Sequence, residues 1–229
     1  MSRLYEQDFF VRASVERVWQ ALTTPAEMEK WLGMKVLSFE PRVGGKVHLE
    51  GLHPGELVAF DPPHRFTWSW DPDNGTEPVV ETLTLHPEDG GTRIHLHSVL
   101  TGRWGDDLLF RGGNVAGWLD WMEGLAGWVE RGEAVSSEPF GLLGAGLGAE
   151  ERDGAERIFV KAVRAGGAAE AAGLQVGDHL VSWDGTPLWQ VSTFWRLLWH
   201  SPGGRRIRFG VERGTAKLEV EVVLGARES

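Results

Sequence analysis

The sequence of 229 residues contains no cysteine and no long apolar run. The first absence excludes disulfide bonds, thiolate metal sites and cysteine nucleophiles. The second excludes a membrane-spanning helix, which needs about 20 apolar residues. The N-terminal segment MSRLYEQDFFVRAS carries charges where a signal peptide would need an apolar stretch. We therefore expect a cytoplasmic protein with no membrane span.

Familiar catalytic signatures are also missing. The sequence holds no G-x-S-x-G, no H-E-x-x-H, no Walker loop and no Rossmann fingerprint. The run Gly144-x-Gly146-x-Gly148 lacks the spacing and the helix that a dinucleotide site requires. Glu81, Asp106 and Asp107 could perform acid–base chemistry at a cavity mouth, but acidic residues near loops are usually solvated. We expect a non-enzymatic protein with no catalytic residues and no cofactor.

Positive charge is scarce in the first half of the chain. The formal net charge is −10, of which residues 1–135 carry −9 and residues 136–229 carry −1. An acidic surface repels phosphate backbones, so no nucleic-acid partner is expected. The cluster Arg205, Arg206 and Arg208 is a single basic edge, typical of a solvated strand end.

Tryptophan, in contrast, is abundant: there are 12 tryptophans and one tyrosine. Several of them fall in GWLDWMEGLAGWVER, residues 117–131, which predicts an amphipathic helix. At 100° per residue its apolar side comprises Trp118, Trp121, Met122, Leu125, Trp128 and Val129. Gly117, Gly124 and Gly127 lower helix propensity by about 1 kcal/mol each relative to alanine. We therefore expect either that another part of the chain presses closely on this helix, or that something needs the space that the missing side chains leave.

The preceding residues predict a strand at 3–13, two short helices and a run of antiparallel strands. Ser14 is a good N-cap for the first helix, and Pro25 opens the second. From Met34 to Leu100 the apolar period falls to two, interrupted by turn signals that include Asp71–Gly75 and Glu88–Gly91. The predicted class is α+β, with one face of the sheet covered by the last helix.

Five segments of this half resemble a known family. They are RVWQALTTPAEMEKWLG, GGKVHLEG, GELVAFDPPHRFTWSW, LHPEDGGTRIHLHS and AGWLDWMEGLAGW. Together they resemble homologues of the activator of heat-shock protein 90 ATPase, within the START-like (SRPBCC) superfamily. The resemblance implies a helix-grip domain at residues 1–133, in which a curved antiparallel sheet surrounds a long C-terminal helix and an interior cavity can form.

Residues 134–139, which contain Ser136-Ser137-Glu138-Pro139, have the composition of a linker. The chain then changes character, and AGLQVGDHLVSWDG (172–185) is flanked by predicted strands, with a helix at Val191–Trp199. Asp184-Gly185 is a hairpin signal. Residues 140–229 resemble a bacterial PDZ domain of the HtrA type, a small β-barrel or sandwich, but without an attached protease.

The resemblance implies a peptide groove. A PDZ domain adds an extended peptide to a strand edge and holds its terminal carboxylate on loop N–H groups. The loop would be Leu142, Leu143, Gly144 and Ala145, with Gly146-Leu147-Gly148-Ala149 as the competing register. The opposite wall would comprise Ser192, Phe194, Trp195 and Leu198. Alternatively, these glycines only pack the loop, or the first domain fills the groove.

A second candidate site is an apolar cavity in the first domain. It would be lined by Trp68, Trp70, Trp118, Trp121, Met122 and Leu125, and would hold a hydrophobic small molecule. The alternative is a solid core, because aromatic and methionine stripes at helical spacing usually pack.

His95 and His97 share one strand face, and His48 is on a strand that could lie nearby. Because Ile94 and Leu96 take the other, covered face, the histidines are expected on the solvated side, and no metal site is expected.

The sequence thus predicts a two-domain binding protein, a chaperone accessory or stress adaptor. An enzyme of the cyclase, aromatase or hydratase type acting in the cavity is the alternative. The ligand, the peptide partner and the oligomeric state stay open.

Overall fold

The computed structural model of the protein describes residues 2–71, 78–136 and 139–226. The chain divides into two compact units, Met1–Asp106 with Trp118–Ser137, and Asp107–Gly117 with Glu138–Ser229. The second unit therefore includes a short segment, residues 107–117, that the sequence placed in the first domain. Most of the turn predicted at Asp71–Gly75, and Ser137 and Glu138 of the predicted linker, lie outside the described residues.

The first unit is built on an antiparallel sheet that follows the predicted alternation of apolar residues. Its strands are β1 (Arg3–Val11), β2 (Val36–Phe39), β3 (Lys46–Leu49), β4 (Gly55–Asp61), β5 (Arg65–Trp70), β6 (Val79–Glu88) and β7 (Gly91–Leu100). In the described part of the chain they form a seven-stranded sheet ordered β1-β7-β6-β5-β4-β3-β2. The first strand therefore pairs with the last, in antiparallel register.

Local sequence signals set the ends of the short helices. The helices of this region are α1 (Val15–Thr23), α2 (Pro25–Leu32) and α3 (Gly102–Asp106). Ser14 caps α1, its side chain accepting a hydrogen bond from the backbone N–H of Arg17 at 3.3 Å. Pro25 is the first residue of α2, and Gly33, in the left-handed conformation at φ 68°, ends it.

The long helix α4 (Leu108–Arg131) begins nine residues earlier than the sequence predicted. Asp107 caps it: one carboxylate oxygen accepts the backbone N–H groups of Leu109 at 2.9 Å and Phe110 at 3.1 Å. Asp107, a candidate acid–base residue in the sequence, therefore has a structural role. The early start was missed because Gly112 and Gly113 disfavour a helix.

The core of the first unit lies between the sheet and α4. Ile94 and Leu96 of β7 are fully buried, as are Leu83 on β6 and Leu57 on β4. From α4, the buried residues Trp118, Met122 and Leu125 belong to the same hydrophobic cluster. The helix-grip arrangement predicted from the resemblance is confirmed.

The second unit forms a separate sheet. Its elements are β8 (Ala145–Arg152), β9 (Ala155–Val163), α5 (Ala168–Ala171), β10 (His179–Trp183), β11 (Thr186–Pro187), α6 (Val191–Trp199), β12 (Arg206–Arg213) and β13 (Ala216–Val223). Among the described residues, the sheet order is β13-β12-β10-β9-β8, with β11 paired to β10. Trp183, Phe194 and Phe209 form the aromatic centre of the core, with ring centroids 5.1 to 5.8 Å apart for the two pairs that Trp183 makes.

Two-residue turns close two of its hairpins. Asp153 and Gly154 connect β8 to β9, and Asp184 and Gly185 connect β10 to β11. All four residues have positive φ, 54° and 73° in the first turn and 47° and 83° in the second. This is the conformation that Asp-Gly favours between twisted strands, so the hairpin predicted at Asp184-Gly185 is confirmed.

Candidate functional site

The strand β8 lies at an edge of the second sheet. In the strand order of the described residues, β9 is its only neighbour. The pairing with β9 runs from Ala145↔Val163 to Arg152↔Ala155. An edge strand has a row of backbone N–H and C=O groups on its outer side, and an extended peptide can pair with them.

The loop before β8 is held by backbone hydrogen bonds on both sides. The N–H groups of Gly141 and Leu142 donate to the carbonyls of Ser201 at 2.7 Å and Gly225 at 2.8 Å. The carbonyls of Leu143 and Gly144 accept from the N–H groups of Ala169 at 2.8 Å and Arg164 at 2.9 Å. The loop is therefore fixed in position, although some of its backbone N–H groups take no part in these hydrogen bonds.

The remaining donors of the loop are the N–H groups of Leu143 and Gly144. Within the described ranges, neither donates a hydrogen bond to a protein acceptor. Gly144 has φ 71°, a left-handed conformation that side chains disfavour. Successive unpaired N–H groups around a left-handed residue form the kind of backbone nest that binds a carboxylate.

Three of the residues predicted for the opposite wall are buried. Ser192 and Leu198 are buried at 9% and 6% exposure. Phe194 is fully buried and packs edge-on against Trp183, so a peptide cannot reach it without displacing the core. The competing loop register, Gly146-Leu147-Gly148-Ala149, lies inside β8.

Trp195, also predicted for that wall, contacts the beginning of α4 within the second unit. Its indole N–H donates to the carbonyl oxygen of Leu109 at 3.1 Å. A Cβ atom at Gly113 would lie 3.4 Å from the same indole nitrogen, and one at Gly112 would overlap the side chain of Val191. These glycines therefore let the two helix backbones approach closely.

In the PDZ-like motif, the aspartate of Gly177-Asp178 forms an ion pair with Arg213. Asp178 is fully buried, and its carboxylate receives two hydrogen bonds from Arg213, at 2.7 and 2.8 Å. The backbone N–H of Gln175 donates a third, at 2.8 Å. The hydrogen bonds from Arg213 lower the pKa of Asp178, and burial acts in the opposite direction. This residue fixes the turn before β10.

The interior of the first unit contains a void of about 20 Å³. Its lining is apolar and comprises Leu22, Met28, Trp31, Leu32, Phe39, Leu49, Phe66, Trp68, Leu83, Trp118 and Trp121. Three of the predicted cavity residues, Trp68, Trp118 and Trp121, are among them. The other three are not: Met122 and Leu125 are packed in the core, and Trp70 lies beside His53. This volume holds about one water molecule.

A buried carboxylate joins the indoles around this void. Glu81 is 2% exposed. It accepts the indole N–H groups of Trp68 at 2.6 Å, Trp118 at 2.6 Å and Trp70 at 3.1 Å. The Ser98 hydroxyl donates a further hydrogen bond at 3.2 Å. The arrangement satisfies the polar edges of three large aromatic side chains inside an apolar core.

The expectation that Glu81 is solvated was wrong. The residue lies on the buried face of β6, in the same alternation as Val79, Leu83 and Leu85. The period-two alternation of buried residues could have predicted this burial, but a glutamate at an inward-facing position looks like an interruption of the apolar pattern. Asp106 and Asp107 are exposed, as expected.

The histidines His95 and His97 lie on the outer face of the sheet, beside acidic residues of β1. His95 Nδ1 is 2.8 Å from Asp8 Oδ1, and His97 Nδ1 is 3.0 Å from Glu6 Oε1. The hydrogen bond from His95 lowers the pKa of Asp8, with smaller contributions from Arg93. Sequence reasoning missed Glu6 and Asp8 because β1 and β7 are about 90 residues apart.

Comparison with known proteins identifies both units. The family model described as Activator of Hsp90 ATPase homolog 1-like protein matches residues 12–130, just over half of the chain. The chain therefore belongs to this family. A PDZ domain model matches residues 141–224, so the chain carries the predicted fusion of the two domains.

Solved structures from several bacteria are similar to this chain. Protein MLL2253 of Mesorhizobium loti is 26% identical over 56% of this chain and 98% of its own, with a TM-score of 0.49. CalU16 of Micromonospora echinospora is 24% identical over 57% and 77%, with a TM-score of 0.45. Protein CV1439 of Chromobacterium violaceum is 24% identical over 56% and 96%, with a TM-score of 0.46.

A comparison with curated proteins found no match. Among the described residues, no helix combines the length and apolar character that a bilayer crossing requires.

Proposed function

We propose that this protein is a binding adaptor whose second unit binds the C-terminal tail of a partner protein along β8. The observation that carries the proposal is that the N–H groups of Leu143 and Gly144, next to the outer edge of β8, donate to no acceptor in the part of the chain that the structure describes. A peptide would pair with that edge as an added strand, and its terminal carboxylate would accept hydrogen bonds from the loop. The match to the PDZ domain model supports this mode of binding.

The charge next to the loop favours a carboxylate. Arg164 follows β9 directly, and its backbone N–H donates to Gly144. A cationic residue is therefore tethered to the nest, and its side chain is exposed. Because Phe194 is in the core and Trp195 is engaged with Leu109, we assign Ser192 and Leu198 to the wall of the groove. Both are also buried, so neighbouring side chains must move before a tail can contact them.

A C-terminal peptide library tests this function. Peptides displayed with free carboxylates should select a consensus, and their amidated counterparts should lose binding because the nest no longer receives a negative charge. Arg164→Glu should weaken binding about tenfold, roughly one charge-assisted hydrogen bond. Arg152→Glu, at the far end of β8, is the matched control and should bind as the wild type does. Equal binding of acid and amide peptides would contradict the proposal.

For the first unit we propose an apolar pocket that opens when a small hydrophobic ligand enters. The support is the apolar lining of the void, in which Met28 and several indoles can change rotamer. At about 20 Å³ the void is far below the few hundred Å³ of a ligand pocket, so side chains must move. Native mass spectrometry of the protein purified from cells should show a bound lipid or aromatic molecule. Protein that carries no ligand, either as purified or after incubation with lipids, would contradict the pocket.

The alternative function is a cavity enzyme of the cyclase, aromatase or hydratase type. Glu81 would be its acid or base, because it is the buried carboxylate beside the void. Three indole N–H groups and a hydroxyl occupy that carboxylate, which favours a structural role. Both domain types are usually binding domains, so we favour an adaptor. A chaperone or stress role is suggested by the family description, and that description is its sole support.

A further inference from the structure

We infer that Glu6, His95 and His97 form a binding site for a first-row divalent cation such as Zn²⁺ on the outer face of the first unit's sheet. One ligand atom from each of the three side chains lies within 4.8 Å of the others. The residues come from two adjacent strands, β1 and β7, in the region where the two strands are paired in regular register. The site is independent of the function proposed for β8.

The strand register brings these groups together. Glu6 pairs directly with His97, and Asp8 pairs directly with His95. Paired residues of an antiparallel ladder project from the same face, and so do residues two apart on one strand. The two pairs therefore form a square of two histidines and two carboxylates on a rigid sheet.

The distances suit a shared ion. Glu6 Oε1 lies 3.0 Å from His97 Nδ1 and 3.7 Å from His95 Nε2. A tetrahedral zinc ion with ligands at 2.0 to 2.2 Å separates neighbouring ligand atoms by about 3.4 Å. The two measured distances lie on either side of that value. Two imidazoles and one carboxylate are a ligand set that zinc uses in proteins, and water would complete the coordination.

Asp8 orients one of the ligands. Its carboxylate lies 2.8 Å from His95 Nδ1 and can only accept a hydrogen bond, so Nδ1 carries the proton and Nε2 keeps its lone pair for the ion. A carboxylate that holds the second nitrogen of a metal-bound histidine is the usual arrangement at zinc sites. Arg93 contacts Asp8 at 3.4 Å, and its guanidinium also pairs with Glu88.

Binding has a defined chemical consequence at His97. In the metal-free protein the proton between His97 Nδ1 and Glu6 Oε1 holds the two side chains together. The ion takes the place of that proton at Nδ1, and the neutral imidazole then carries its single proton on Nε2. The side chains of Glu6, His95 and His97 are 49%, 37% and 41% exposed, which leaves the site open to solvent and to the ion.

Titration of the full-length, tag-free, metal-free protein with ZnCl₂ tests the site. The wild type should bind one equivalent in isothermal titration calorimetry, and CoCl₂ should give the visible absorption of four-coordinate Co²⁺. His97→Ala should weaken zinc binding at least about tenfold. Asp8→Asn should weaken it about ten- to a hundredfold, because an amide can donate as well as accept and no longer fixes the tautomer of His95. His86→Ala is the matched control, since His86 is an exposed histidine on the same sheet face that pairs with Arg93.

The outcomes separate clearly. Loss of zinc binding in His97→Ala and Asp8→Asn, with His86→Ala unchanged, supports the site. Wild-type protein that binds no zinc, or binding that is unaffected by His97→Ala, overturns it, as does an equal loss in His86→Ala. Far-ultraviolet circular dichroism of each metal-free variant verifies its fold, and restoration of Co²⁺ absorption by His97→Cys would show that the position supplies a ligand and not only packing.

Discussion

At the scale of single residues, Glu81 is the polar centre of the first unit. Glu81→Gln keeps the size of the side chain but gives it an amide group that faces other donors, so an indole N–H loses its acceptor. We expect the free energy of unfolding to fall by about 1–3 kcal/mol. Hydrogen exchange of the β6 amides, read by mass spectrometry, measures this loss within the first unit.

The matched control for this substitution is Glu56→Gln. Glu56 lies on β4 and is exposed, so the change should alter stability by no more than about 0.5 kcal/mol. If the two substitutions had equal effects, the indole–carboxylate cluster would contribute nothing specific.

Asp178 makes the corresponding prediction in the second unit. Asp178→Asn removes the charge from a buried pair with a partly exposed arginine, and should lower the free energy of unfolding by about 1–3 kcal/mol. Because Arg213 lowers the pKa of Asp178 in the folded state, the wild-type stabilisation is complete above the unfolded-state pKa near 3.9. It disappears as the pH falls through the lower, folded-state pKa.

Calorimetric unfolding between pH 7 and pH 2.5 measures this effect. The difference in stability between wild type and Asp178→Asn should be constant from pH 7 to about pH 5 and shrink toward zero below about pH 4. A difference that grew on acidification would show that the carboxylate is not stabilised by its charge.

At the scale of elements, the glycines of α4 have different roles. A Cβ atom at Gly124 would overlap the carbonyl oxygen of Trp31 and lie 2.9 Å from Val135 Cγ2. At Gly117 the nearest atom, from Trp199, would be 3.9 Å away, which is ordinary contact. Another segment of the chain thus approaches the helix closely at Gly124, as the sequence predicted, whereas the residue nearest to Gly117 leaves room for a side chain.

Alanine substitutions at these two positions should therefore have opposite signs. Gly124→Ala should destabilise the protein by about 1–3 kcal/mol, because overlap with a backbone atom outweighs helix propensity. Gly117→Ala should stabilise it by about 0.5–1 kcal/mol through propensity alone. Thermal unfolding followed by circular dichroism measures both, and a stabilising Gly124→Ala would mean that α2 and α4 do not approach as described.

How far the sequence predicts these elements depends on the range of the interactions that define them. Ser14, Pro25 and the Asp184-Gly185 turn were predicted because each acts on neighbouring residues. The first turns of α4 were missed because the residues that accommodate Gly112, on α6, come about 80 positions later. Glu81 was misplaced for the same reason, since its partner Trp118 is 37 positions away.

At the scale of the molecule, the chain joins two different domain types, and each has its own hydrophobic core. The second core includes Leu108 at the start of α4. A fragment of residues 139–226 lacks that side chain and the close packing of Gly112 against α6. We expect it to unfold at a lower urea concentration than the second unit of the full chain. The loss of a buried leucine alone should lower the free energy of unfolding by about 2–3 kcal/mol.

Urea titrations monitored by hydrogen exchange of β10 compare the fragment with the full chain. Identical midpoints would mean that residues 107–117 add no stability to the second unit, and that the PDZ domain begins where the sequence first placed it.

The proposed function of the second unit depends on the open edge of β8 and on the nest before it. The most direct measurement is hydrogen exchange of the full chain with and without a selected peptide that has a free carboxylate. The amides of Leu143 and Gly144 and the outward-facing backbone amides of β8 should become protected, and the amidated peptide should protect none of them. Protection confined to other parts of the chain, or equal protection by both peptides, would contradict the proposal that this unit binds C-terminal tails.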